Sequence, residues 1–270
     1  MRKAGRRWGW WGGVLGALAG LVIYAPASWL CQGVVVLTER RLLMADSQGT
    51  VWNGDAVMVL TGGPGSRDAR ALPGRLNWTL RWSTQGLRLS LQQDCCLPTP
   101  VVLQVHPGWG RVSAEVLTQP VSGGPLVDSG AIGHWPAAWL SGLGTPFNSL
   151  QLGGVVSVTS NKVVAEWVQG RVRLGGQVHV TLDDVSSSVT TLERLGSYRL
   201  DLMGDAQGPV QLSLSTVDGV LQLSGQGEVG PGGLRFRGEA RASDAQHGAL
   251  ENLLNIIGRR VGDRSVISIG

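Results

Sequence analysis

The chain has 270 residues, of which 43% are hydrophobic and 16% charged, with 41 glycines and 6% aromatic residues. Such a composition excludes a disordered or collagen-like chain and leaves room for a sizeable core. The formal net charge of +4 is local: Arg2, Lys3, Arg6 and Arg7 precede every acidic residue, and 23 cations less these four leaves 19 against 19 acids. The basic balance is therefore no nucleic-acid footprint.

Residues 1–7 form the basic segment, and Trp8 to Leu30 follows without a single charge. As a helix this stretch covers about 34 Å, against a hydrocarbon core of about 30 Å. It predicts an uncleaved transmembrane anchor over 8–30. The four cations hold the N-terminus on the cytoplasmic side, with the bulk of the chain on the periplasmic side. Trp8, Trp10 and Trp11 suit one membrane–water interface, and Tyr24 and Trp29 the other. Ala25-Pro26-Ala27 supplies the rival reading, a signal-peptide cleavage site. Gly12, Gly16 and Gly20 recur one turn apart, a stripe on which a second membrane helix could pack.

Beyond the anchor the chain is written in strands. Thr50 to Leu60 ends in the turn cluster Gly62-Gly63-Pro64-Gly65. Leu76 to Trp82 alternates apolar and polar, Leu87 to Leu91 repeats it after a turn at Gly86, and Val101 to Val105 and Arg111 to Leu117 continue the meander. This is the first β unit, 31–119. A Gly- and Pro-rich connection over 120–148 holds one short helical turn near Trp135 to Leu140. The second unit, 149–270, echoes the first: Trp167-Val168-Gln169-Gly170 answers Trp52-Asn53-Gly54, and Gly196 to Leu200 answers Gly74 to Trp78. Val210 to Leu214 answers Leu87 to Leu91, so the pattern suggests a duplicated β unit. Val220 to Gly227 and Leu234 to Ala240 extend it. Leu250, Leu253, Leu254 and Ile257 fall on one helical stripe, with Ser243 and Gln246 as a capping box and Gly258 as the stop. The tail, Asp263 to Ile269, alternates as a last strand. The fold class is mainly β: an antiparallel, curved open sheet, taco- or sandwich-like, with one C-terminal helix.

Motifs that carry chemistry are scarce. His106, His134, His179 and His247 occupy no metal-ligand spacing, and Lys3 and Lys162, the two lysines, build no phosphate loop. Gly225-Gln226-Gly227-Glu228-Val229-Gly230 matches a dinucleotide fingerprint but joins two strand-like runs, so it reads as turn chemistry. Asp183-Asp184 and Asp201/Asp205 read as solvent-facing acids. Cys31, Cys95 and Cys96 are the three cysteines. The adjacent pair is a candidate thiol site; the reading favours two ordinary buried or loop thiols over a strained vicinal disulfide. No catalytic residue, metal or cofactor is expected.

The stretches Ala25-Pro26-Ala27-Ser28-Trp29-Leu30, Gly49-Thr50-Val51-Trp52-Asn53-Gly54, Leu72-Pro73-Gly74-Arg75-Leu76, Leu143-Gly144-Thr145-Pro146 and Leu195 to Leu200 carry a family resemblance. Asn252 to Arg260 and Arg264 to Gly270 carry it too. The chain resembles the type II secretion system protein N (GspN-type) family. The resemblance implies a single-pass inner-membrane accessory component that contacts inner-membrane subunits of the export machine and supports secretion of folded proteins across the outer membrane. The cysteine pair is not part of that pattern. A different class of function remains open: an AsmA/LptC-like protein whose apolar β groove handles lipid for the envelope.

Overall fold

The computed structural model describes residues 3–120, 123–168, 171–205, 208–230, 233–243 and 247–270, without the side chains of 3–9, 171, 172 and 247. Two helices open the chain, α1 (Lys3–Ile23) and α2 (Ala27–Leu37). The single helix expected over 8–30 does not form. Pro26 has no N–H to continue the ladder, and the carbonyl of Ala25 instead accepts from Val51 N at 2.9 Å. The apolar run is therefore shared between two helices, and α1 starts among the cations. No helix among the described residues is long and apolar enough to cross a membrane. α2 belongs to the β structure: its Ala27 and Cys31 are buried against Ala56 and Trp78.

Period-two alternation yields strands throughout: β1 (Leu42–Gly49), β2 (Asn53–Thr61), β3 (Ala69–Ala71), β4 (Leu76–Ser83), β5 (Gly86–Gln92), β6 (Val101–Gly108) and β7 (Arg111–Thr118). After β8 (Ser129–Pro136), a 3-10 helix (Ala137–Leu143) and α3 (Phe147–Leu150) come β9 (Leu152–Val168) and β10 (Arg171–Ser187). Then follow β11 (Gly196–Gly204), β12 (Val210–Gly219), β13 (Leu221–Gly230), β14 (Gly233–Ala242), α4 (His247–Ile257), β15 (Arg259–Val261) and β16 (Arg264–Ile269). Among the described residues sixteen strands make one antiparallel sheet in the order β1-β2-β4-β5-β6-β7-β9-β10-β11-β12-β13-β14-β16-β15, open at both edges, with β3 on β2 and β8 on β9. Long β9 joins the two halves: β7 pairs its C-terminal part and β8 its N-terminal part. The stretch over 120–148 thus contributes a strand as well as helical turns.

The sheet curls. From β2 to β9 is five strand steps, about 24 Å if flat. A seven-residue 3-10 helix spans only about 14 Å, yet it touches β9 at one end and β2 and β3 at the other. Trp139 Nε1 donates to Arg70 O at 3.1 Å, and a side chain at Gly142 would collide with Leu60 O. Only curvature brings those strands within reach.

Cross-strand partners share a face, and the register sorts the two faces cleanly. One carries Leu80, Leu89, Leu103 and Val116 in the first half, and Val158, Val180, Leu200 and Leu214 in the second. The other carries Thr159, His179, Asp201, Ser213, Gln226, Arg237 and Ser268. Helices cover the apolar face at one end of the strands. Leu250, Leu253 and Leu254 of α4 are buried on Val156, Val185, Leu195, Tyr198, Leu221 and Ala240, and α2 covers Trp78, Leu89 and Leu91. The expected stripe and Gly258 stop are both present, whereas Gln246 of the expected capping box lies outside the described residues.

The glycine motif at 225–230 is corrected by position: it lies within β13 and makes no turn. A side chain on Gly225, Gly227 or Gly238 would meet the ring of Phe236, so these glycines make room for one aromatic on the apolar face.

Candidate interaction surfaces

Three groups of residues stand out from the packed part of the molecule. The first is α1. From Trp10 onward its large apolar side chains, Trp10, Trp11, Leu15, Leu18, Leu21, Val22 and Ile23, are exposed. Added Cβ atoms on Gly12, Gly16 and Gly20 would meet nothing within 4 Å, so the predicted stripe faces open space. Arg2 lies outside the described residues, as do the side chains of Lys3, Arg6 and Arg7. The C-terminal end of α1 is tied to the sheet, since Trp52 Nε1 donates to Val22 O at 2.8 Å.

The second group is the uncovered end of the sheet. Helices cap the end where β4 begins and β5 finishes; the hairpins β4–β5, β6–β7, β9–β10, β11–β12 and β13–β14 turn at the opposite end. Around that rim Trp82, Trp109, Trp167, Leu174, Val229, Leu234 and Ile269 are exposed. Alternation within single strands does not reveal that antiparallel order gathers these residues at one end, although Trp109 between Gly108 and Gly110 signals an exposed tip.

The third group comprises charged and sulfur-bearing side chains. His179 Nδ1 lies 2.5 Å from Asp201 Oδ1, both on the polar face, and Arg194 bridges Asp184 at 2.8 Å and Asp218 at 2.7 Å. Arg75 holds Asp46 at 2.6 Å and also contacts Asp55. Hydrogen bonding and charge from Arg75 hold Asp46 below the ordinary carboxylate range. Each is a cross-strand or loop pair. Cys95 and Cys96 are joined in a disulfide, correcting the expectation of two ordinary thiols. They lie in the loop after β5, beside Pro73, whose carbonyl accepts from Gln93 Nε2 at 3.1 Å. Cys31 is a free thiol whose pKa is raised, chiefly by burial. Among the described residues no three His, Cys, Asp or Glu side chains are grouped to hold a metal ion.

Set beside known proteins, the profile of the type II secretion system (T2SS), protein N matches residues 40–267, which takes in the sheet up to the last two residues of β16. The chain belongs to the type II secretion system protein N family. No curated protein and no solved structure matches it. Membership in the protein N family makes it an accessory component of type II secretion that works with other components of that system. The family is one of secretion components rather than of enzymes. The match begins at Arg40, after α1 and α2, and so covers the sheet and α4 of this chain.

Proposed function

We propose that this chain is a non-catalytic accessory component of the type II secretion system, held at the inner membrane through α1 with its N-terminus cytoplasmic and its curled sheet in the periplasm. There it supports export of folded proteins across the outer membrane by recruiting inner-membrane subunits of the machine. The family match across the sheet carries this reading. The exposed apolar side of α1 supports membrane attachment, since so much exposed leucine, valine and tryptophan on one helix is costly in water. Recruitment requires no turnover: confinement to a membrane raises the local concentration of partners, and contact surfaces supply specificity.

Photo-crosslinking in cells from the rim and from the edge strand β1, followed by mass spectrometry, tests it. Inner-membrane subunits of the secretion system are the expected adducts. Adducts confined to unrelated envelope proteins would overturn the proposal. The lipid-handling alternative rests on one observation, the uncovered half of the apolar face, and native mass spectrometry of the purified chain decides it by presence or absence of bound lipid.

A further inference from the structure

The rim of the sheet has a composition that its position makes meaningful. Trp82 is 70% exposed, Trp167 57% and Trp109 106%, so three of the largest apolar side chains in the molecule stand in the open. They belong to the β4–β5, β6–β7 and β9–β10 hairpins, and β4 and β9 are four strand steps apart, about 19 Å. Trp82 heads an apolar row across six strands, Leu87, Val105, Ala114, Ala165 and Leu174. Arg81, Arg111 and Arg173 are exposed at the same level on the opposite face, where Arg111 pairs with Glu166. Exposed tryptophan above an apolar row, with arginine at the same level behind it, is the chemistry of a membrane–water interface.

The attachment of α1 lies beside β4, the strand of Trp82. Trp52, which holds the end of α1, gives its carbonyl to Leu80 N at 2.7 Å. Leu80 is two residues from Trp82, about 7 Å along the strand. The exposed apolar helix thus joins the sheet part-way along β4, between the α2-covered Trp78, whose Nε1 donates to Val51 O at 3.2 Å, and Trp82 at the rim. We propose that the hairpin rim marked by Trp82, Trp109 and Trp167 rests on the lipid surface to which α1 is attached, standing the sheet on the membrane with its helix-capped end away from it. This rests on the reading that α1 associates with a membrane.

The test uses the full chain in vesicles of phosphatidylethanolamine with a minor share of phosphatidylglycerol, some acyl chains brominated. An environment-sensitive fluorophore is placed at Trp109→Cys or, as control, at Val217→Cys on exposed Val217. Buried Cys31 and the joined Cys95 and Cys96 leave the new thiol as the reactive one. The expected result is blue-shifted emission quenched by the bromines at 109 and neither effect at 217. Adding Trp82→Ser and Trp167→Ser should weaken quenching at 109. If the chain floats with vesicles while the label at 109 stays water-like and unquenched, the rim does not touch lipid and the proposal fails, leaving α1 as the attachment. A chain that does not float at all overturns the membrane reading together with the rim.

Discussion

Tyr198 shows how a single side chain joins the sheet to its cap. It is buried on the apolar face, and its hydroxyl donates to Leu221 O at 3.0 Å. Burial raises its pKa well above the ordinary phenol value. A raised folded-state value means that its contribution is fully present below the unfolded value of about 10 and is lost as pH rises above it. In a Tyr24→Phe background, phenolate absorbance should therefore appear together with loss of β-sheet circular dichroism. Phenolate formation with the sheet intact would contradict the burial argument. Gly225 tests packing on the same face. Gly225→Val drives a side chain into the Phe236 ring, and overpacking of this kind costs about 1–3 kcal/mol. Denaturant midpoints for the variant and the parent chain measure it.

Among elements, the strands and α4 were legible because their burial obeys one period. Leu76 to Trp82 and Leu87 to Leu91 alternate against a single covered face, and Leu250, Leu253 and Leu254 form one buried stripe. The boundary at Pro26 was hidden because hydropathy does not register a helix break. Moreover α2 buries only Ala27 and Cys31 fully, so its apolar surface reads like a membrane span. The strand β8 was hidden because Gly130 and Gly133 sit inside it. Gly133 lies where a side chain would strike Cys96 O. The glycine stripe of α1 belongs to this scale. Gly16→Ile should reduce co-purification of the chain with inner-membrane subunits while leaving the sheet's thermal unfolding unchanged. Undiminished co-purification would reduce the stripe to composition.

At the scale of the molecule, one curled sheet has its apolar face roofed by α2 and α4 at one end and bare at the other. The bare end is where tryptophans gather, and α1 joins between the two ends, through Trp52 beside Leu80. The antiparallel order that produces this polarity is long-range, which explains why the chain's alternation announced strands but not a rim. The strands before and after residues 120–148 form a single sheet because β9 accepts partners from both halves. A continuous sheet can carry position from its rim to its capped end, as suits an accessory component that works with other components.

The most direct measurement is secretion itself. In a strain whose exoprotein depends on type II secretion, the gene for this chain is deleted and the folded enzyme is assayed in medium and periplasm, with re-expression of the full chain as control. The account predicts that enzyme accumulates in the periplasm and falls in the medium, with export restored on re-expression. Unchanged export in the deletion strain would contradict it.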